Sequence, residues 1–188
     1  METEVIQQRK KIHPHKFTLW VGIGSIIMMF AGLTSAYIVK RNQINWVSYD
    51  LPKAFWYSTI VIVVSSITIQ QAVKAFKERA MANYRKLVLI TMVLGVLFLF
   101  LQTIGFIHFW ESGMTLQKNV SFSFLYVIVG LHALHIAGGI IALMIMSLKS
   151  FSKKKRVYTS IPIELMSTYW HFVDILWVYL LVFLIMIK

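Results

Sequence analysis

Few side chains in the apolar parts of this sequence could do chemistry, and most of them are histidines. His132 and His135 are three residues apart, a spacing that puts both on one face of a helix. His171 and Asp174 have the same spacing in a later apolar segment, and Gln102 lies in another. Because imidazole binds iron and copper, the first chemistry to consider is a haem or copper site.

The depths of these residues argue against such a site. If the segments are helices, the rise of ~1.5 Å per residue puts His132 ~24 Å from one end of the bundle, His135 ~20 Å and His171 ~9 Å. A bis-histidine haem needs two imidazoles at nearly one height on facing helices. There is also no cysteine to supply a thiolate. We predict no metal ligand in this chain, and no serine lies in a nucleophile context, so we predict no catalytic residue.

Asp174 needs a partner if it lies inside a membrane, because an ionised Asp at the centre of a span costs about 2.5–3.5 kcal/mol. His171 is its neighbour on the same helix, and His135 has nearly the same depth on another. We predict that one of them holds Asp174 and locks two helices together. The full predicted buried polar cluster is His132, His135, His171, Asp174 and Gln102. A proton-handling role is the alternative, although a lone carboxylate makes a poor relay.

Five apolar segments must position these residues. They cover roughly residues 17–39, 54–73, 86–110, 121–148 and 165–187, and each is long enough to cross about 30 Å of hydrocarbon. The 188-residue chain is 58% hydrophobic and 14% charged, whereas about a quarter of a soluble domain is charged. The sequence therefore predicts an all-α fold, a polytopic membrane bundle of five transmembrane helices. It forms a single domain, 17–188, after a basic cytoplasmic tail, 1–16.

The basic residues are distributed unevenly around these segments. Of the 19 Lys and Arg residues, 14 lie in the amino-terminal tail and in the second and fourth loops. The positive-inside rule then predicts that the amino terminus is inside and the carboxyl terminus outside. Anionic lipid headgroups are a sufficient partner for these loops, so the net charge of +12 does not indicate binding to nucleic acid.

Small residues recur at three- and four-residue steps on several segments. Gly22 and Gly32 lie on such a stripe in the first segment, Gly95 and Gly105 in the third, and Gly139 follows the two histidines of the fourth. Small residues let membrane helices approach each other closely. We therefore expect helix contacts along these stripes.

Motifs in all five segments resemble subunit III of the haem–copper terminal oxidases, the cytochrome c and quinol oxidase family, in its short five-helix bacterial form. The motifs are FAGLTSAY, LPKAFWYSTIVIVVSSITIQQA, LGVLFLFLQTIGF, GLHALHIAGG and YWHFVDILWVYL, in chain order. The succession of GLHALH and YWHFVD in neighbouring segments is the most specific of these features.

The resemblance implies a non-catalytic subunit of an oxygen reductase in the aerobic respiratory chain, located in the bacterial cytoplasmic membrane. Such a subunit binds no haem or copper, which are expected in partner catalytic subunits. It stabilises catalytic subunit I, with subunit II and other small subunits as further partners, and it holds phospholipid and supports proton uptake. The lipid or interface candidates that the resemblance implies are Trp170, Glu164, Arg41 and Arg85.

The chain departs from the family pattern in its first segment. The family usually has a buried glutamate four residues before the FAG motif, and this chain has Ile26 there. Ser25 before it fits the pattern. The substitution weakens any role of the chain in proton collection, but it does not affect the lipid and assembly role.

Two other functions fit the sequence less well. A subunit III-like component of a nitric oxide reductase, or of another respiratory assembly, would have the same fold and differ in its catalytic partner. A stand-alone membrane transporter or enzyme would need broken helices or several aligned charges within the membrane, and the sequence has neither. The electron donor and the haem type are determined by other subunits.

Overall fold

The computed structural model describes residues 14–41, 51–114, 119–151 and 160–187. These residues form five α-helices, which are α1 (Pro14–Arg41), α2 (Lys53–Lys77), α3 (Met81–Glu111), α4 (Val120–Phe151) and α5 (Ile161–Met186). All five contain stretches long and apolar enough to cross a membrane. The predicted all-α bundle of five spans is therefore confirmed. Most of the predicted tail lies outside the described residues, and its last three positions already belong to α1.

The five helices do not contribute equally to the core. Helices α2, α3, α4 and α5 form a closed ring in which each contacts the next, and α1 packs outside the ring against α4 and α5. In the most apolar stretch of α5, half of the residues are buried, compared with 17% in the corresponding stretch of α1. Helix α5 is thus the central element, and α1 is the peripheral one.

Polar contacts at one end of the bundle show how the chain alternates in direction. Glu164 at the start of α5 contacts Lys16 at the start of α1 (Oε2–Nζ, 3.6 Å) and Lys77 at the end of α2 (Oε1–Nζ, 3.5 Å). At the same end Arg85 of α3 donates from Nε to Ser150 Oγ of α4 (3.3 Å). We call this end, defined by these five residues, the basic end.

Helices approach one another closely around Trp170 of α5, which is fully buried. A Cβ atom placed on Gly95 of α3 would lie 2.9 Å from Trp170 Cη2, and one on Gly139 of α4 would lie 3.0 Å from Cζ3. The indole Nε1 donates to Ser65 Oγ of α2 (2.9 Å). Trp170 therefore joins four helices. It was predicted as a lipid or interface residue, and that prediction is wrong because its side chain has no exposed surface.

The predicted small-residue stripes have two different outcomes. Trp170 packs against Gly95 and Gly139. The ring of Phe55 packs against Gly105, with its nearest atoms 3.3 Å from a Cβ placed on that glycine. Gly22 and Gly32 of α1 have no atom within 4 Å of the corresponding position. The expected close contacts thus form in the ring of helices and not on the stripe of α1.

Candidate functional site

Asp174 is buried in the middle of α5, with 4% of its surface exposed. Neither carboxyl oxygen has a hydrogen-bond partner among the described residues. The Ser66 hydroxyl of α2 is a polar group near it, but the two side chains are not in hydrogen-bonding geometry. The carboxyl is therefore an orphan at the interface of α2 and α5.

The predicted bond from Asp174 to His171 or His135 is wrong. His171 contacts α2 instead, where its Nδ1 lies 2.5 Å from Ser66 Oγ and its Nε2 lies 3.0 Å from Gln70 Oε1. His135 donates from Nδ1 to its own helix, to the Leu131 carbonyl (2.7 Å). Both imidazoles are thus hydrogen-bonded to other groups and not to the Asp174 carboxyl. Both are also half-buried rather than fully buried.

His132 is fully buried in an aromatic environment. Its ring stacks on Trp177 of α5, with centroids 5.3 Å apart and planes at 27°, and it meets the rings of Phe98 and Phe30 at steep angles. Neither ring nitrogen has a hydrogen-bond partner among the described residues. His132 is therefore held by contacts with aromatic rings.

Gln102 lies in a separate part of the core. Its Nε2 donates to Ser58 Oγ of α2 (2.8 Å), while its Oε1 is unpaired within the described residues. The five residues of the predicted polar cluster therefore do not form one hydrogen-bonded network. They occupy three places, which are the α2–α5 interface, the aromatic environment of His132, and the α2–α3 interface.

Sequence reasoning missed Ser66 and underrated the hydroxyls of α2 as a group. Besides Ser65 and Ser66, Thr59 accepts from Trp177 Nε1 (2.9 Å) and Thr68 bonds Thr91 of α3 (2.8 Å). These side chains fix α5 and α3 to the middle part of α2, from Thr59 to Thr68. The repeat of Ser and Thr at three- and four-residue steps in an apolar segment was the signal that could have found them.

Two grooves flank α1 towards the basic end. One, of about 420 Å³, lies between α1, α2 and α5, and its polar lining residues are Lys16, Gln70, Glu164, Ser167, Thr168 and His171. The other, of about 510 Å³, lies between α1 and α5 and is largely apolar. Ile26 lines the second groove, as does Tyr169, whose hydroxyl donates to the His135 carbonyl (2.9 Å).

The remaining lipid or interface candidates lie at the ends of helices. Glu164 is half-buried and makes its two ion pairs beside the first groove. Arg85 is half-buried and bonded to Ser150. Arg41 is exposed at the last position of α1. Within the described ranges, no group of three His, Asp or Glu side chains is arranged to hold a metal ion.

Comparison with known proteins identifies the family. The family model described as cytochrome c oxidase subunit III matches residues 48–187. A cytochrome c oxidase subunit 3 of Corynebacterium diphtheriae is 31% identical over 172 residues, which cover 84% of this chain and 83% of the relative. A probable cytochrome c oxidase subunit 3 of Nocardia farcinica is 30% identical, with coverages of 90% and 89%.

A more distant relative agrees with these two. The cytochrome c oxidase subunit 3 of Bacillus subtilis is 27% identical over 167 residues, covering 86% of this chain and 80% of its own length. The family match includes α2 to α5 in full, and with them the α2 hydroxyls, Trp170 and Asp174. The chain belongs to the cytochrome c oxidase subunit III family.

Proposed function

We propose that the chain is the non-catalytic subunit III of a haem–copper oxygen reductase of the aerobic respiratory chain. Family membership is the observation that carries this proposal, because the match extends over four of the five helices. In this role the chain stabilises its catalytic partner and supports its proton uptake while electrons pass to oxygen. It contributes no catalytic centre of its own to the complex.

The partners we propose are catalytic subunit I, with subunit II and small subunits in the same complex. Haem and copper belong to those catalytic chains. All five helices expose large apolar side chains, so the surface is suited to lipid or to other membrane helices. We propose a location in the bacterial cytoplasmic membrane, with the basic end on the cytoplasmic side, because the charge distribution follows the positive-inside rule.

We further propose that the groove between α1, α2 and α5 holds a phospholipid at the basic end. Lys16 and Lys77 exceed the charge of Glu164 by one, which leaves a net positive charge beside the groove for a phosphate. Trp20 also lines the groove and is largely exposed. An indole at this depth suits the boundary between headgroups and hydrocarbon.

Purification of the tagged chain in a mild detergent tests the proposed function. The visible spectrum and the peptide masses should be recorded on one sample. Haem absorbance together with a large oxidase subunit is the expected result, and the co-purifying chains would identify the electron donor. A nitric oxide reductase subunit in that position would redirect the proposal to a different complex. A colourless and solitary five-helix protein would contradict it.

A further inference from the structure

The orphan carboxyl of Asp174 lies beside the Ser66 hydroxyl without a hydrogen bond to it. From Ser66, a hydrogen bond leads to His171, which lines the groove at the basic end. Asp174 is 4% exposed and has no hydrogen-bond partner among the described residues. An isolated carboxylate in a low-dielectric interior is so costly that such groups exist in the neutral form. We infer that Asp174 is a proton-binding site, which exchanges its proton with the groove through Ser66 and His171.

The hydrogen bonds of His171 give this path a direction. Gln70 Oε1 is an amide oxygen and can only accept, so the proton of a neutral His171 is on Nε2. Nδ1 is then an acceptor, and Ser66 must donate its hydroxyl proton to it. The lone pairs of Ser66 Oγ remain available for the proton of the Asp174 carboxyl. The order is therefore Asp174 to Ser66 to His171 to the groove.

Proton release along this path balances without any further reactant. The Asp174 O–H bond breaks as Ser66 Oγ takes that proton and gives its own to His171 Nδ1. The imidazolium so formed loses its Nε2 proton to water in the groove, which His171 and Gln70 both line. The net change is one proton moved from a carboxylic acid to water, with the remaining proton of His171 now on Nδ1, and uptake is the reverse.

The titratable groups around Asp174 in the described residues do not favour its ionised form over the neutral form. His171, Tyr169 and Tyr179 on α5 and His132 and His135 on α4 are the titratable side chains near its level in the described residues. Helices α1, α2 and α3 carry theirs within two turns of their ends. Asp174 is ten residues, or ~15 Å, from Glu164 at the basic end. Within the described helices, no Lys or Arg is therefore placed to hold the carboxylate ionised.

Infrared spectroscopy of the purified complex tests the site directly, and it does not depend on what the complex catalyses. The spectrum of the native complex should contain a carboxylic C=O band that is lost in Asp174→Asn. On transfer to D₂O this band should shift, because the proton exchanges. Absence of the band would mean that Asp174 is ionised, and a band that does not shift in D₂O would mean that it is isolated from water. Either result overturns the inference.

Variants of α2 test the path. Ser66→Ala should slow the D₂O shift by about tenfold or more, a barrier increase of roughly 1.4 kcal/mol, and Ser66→Thr should restore the rate because it keeps the hydroxyl. Ser58→Ala is the matched control, since Ser58 is on the same helix but accepts from Gln102. An unchanged rate in Ser66→Ala, with His171→Phe also unchanged, would exclude this path.

Discussion

Helices α1 and α5 contain the two extremes of packing in this molecule. Around α5, one indole occupies the space beside the glycines of two neighbouring helices, since Trp170 packs against both Gly95 and Gly139. On α1, Gly22 and Gly32 face open space within the chain. This difference shows that a stripe of small residues permits a close helix contact but does not create one. A large side chain on the neighbouring helix must fill the space that the glycine leaves.

The largest expected effect is from removal of that large side chain. Trp170→Ala should destabilise the chain by about 3–5 kcal/mol, because it empties a fully buried volume and leaves the Ser65 hydroxyl without its donor. The temperature at which the tagged chain aggregates from a detergent extract measures this loss. Trp110→Ala is the control, since Trp110 is 59% exposed. Equal effects of the two changes would refute the packing role of Trp170.

A pair of identical substitutions sharpens the comparison between the two helices. Gly95→Ala should destabilise the chain by about 1–3 kcal/mol, because its Cβ would lie 2.9 Å from the Trp170 ring. Gly32→Ala should be neutral, or stabilise the chain by up to ~1 kcal/mol, because α1 has space at that position. The same aggregation assay compares them. A similar loss in both variants would mean that the Gly32 face is covered by a neighbour.

Asp174→Asn tests how an orphan group behaves inside the well-packed region. The amide is nearly isosteric with a neutral carboxylic acid, and the native group has no hydrogen bond to lose. We therefore expect a loss of ~1 kcal/mol or less and normal retention of the chain in the complex. A loss of several kcal/mol would indicate an ion pair that the structure does not contain. Retention is measured as the amount of this chain per haem after purification.

The smallest expected effect concerns the joint between α1 and the ring of helices. Glu164→Gln removes both ion pairs at the basic end, but these side chains are partly exposed, so the loss should be about 0.2–1 kcal/mol. The effect should decrease in high salt because exposed charges are screened. An effect that does not change with salt would show that Glu164 acts through something other than these pairs. Lys74→Gln, which removes the exposed pair between Lys74 of α2 and Glu78 just after the helix, is the control.

The sequence could predict the elements and the depth of each residue, but not the direction of each side chain around its helix. Five apolar segments predicted five helices, which the structure contains, and the depths of the histidines led to the prediction that they share no metal. Depth alone, however, also suggested the bond between Asp174 and a histidine. His171 points instead to the hydroxyls of α2, and His135 bonds its own helix. Such choices depend on which neighbouring helix supplies the nearer partner.

The sequence also did not predict the direction of the Trp170 side chain. The prediction that Trp170 contacts lipid or a partner came from the resemblance to the oxidase subunit, and the pattern of the sequence did not show which way its ring points. Only the arrangement of four helices reveals that Gly95, Gly139 and Ser65 form a buried place for it. The resemblance to the oxidase subunit was visible in the motifs because these packing residues are within them. Their roles became visible only with the fold.

The most direct test of the account is the spectrum of the oxidase purified from cells that lack this chain. We predict that haem and copper per catalytic subunit are unchanged, while the oxidase loses activity faster during sustained turnover. Restoring the wild-type chain should restore the durability and leave the spectrum as it was. Loss of a haem or copper signal in a catalytic subunit that is otherwise intact, with its return when this chain is added back, would contradict the claim. It would mean that the chain carries a redox centre of its own.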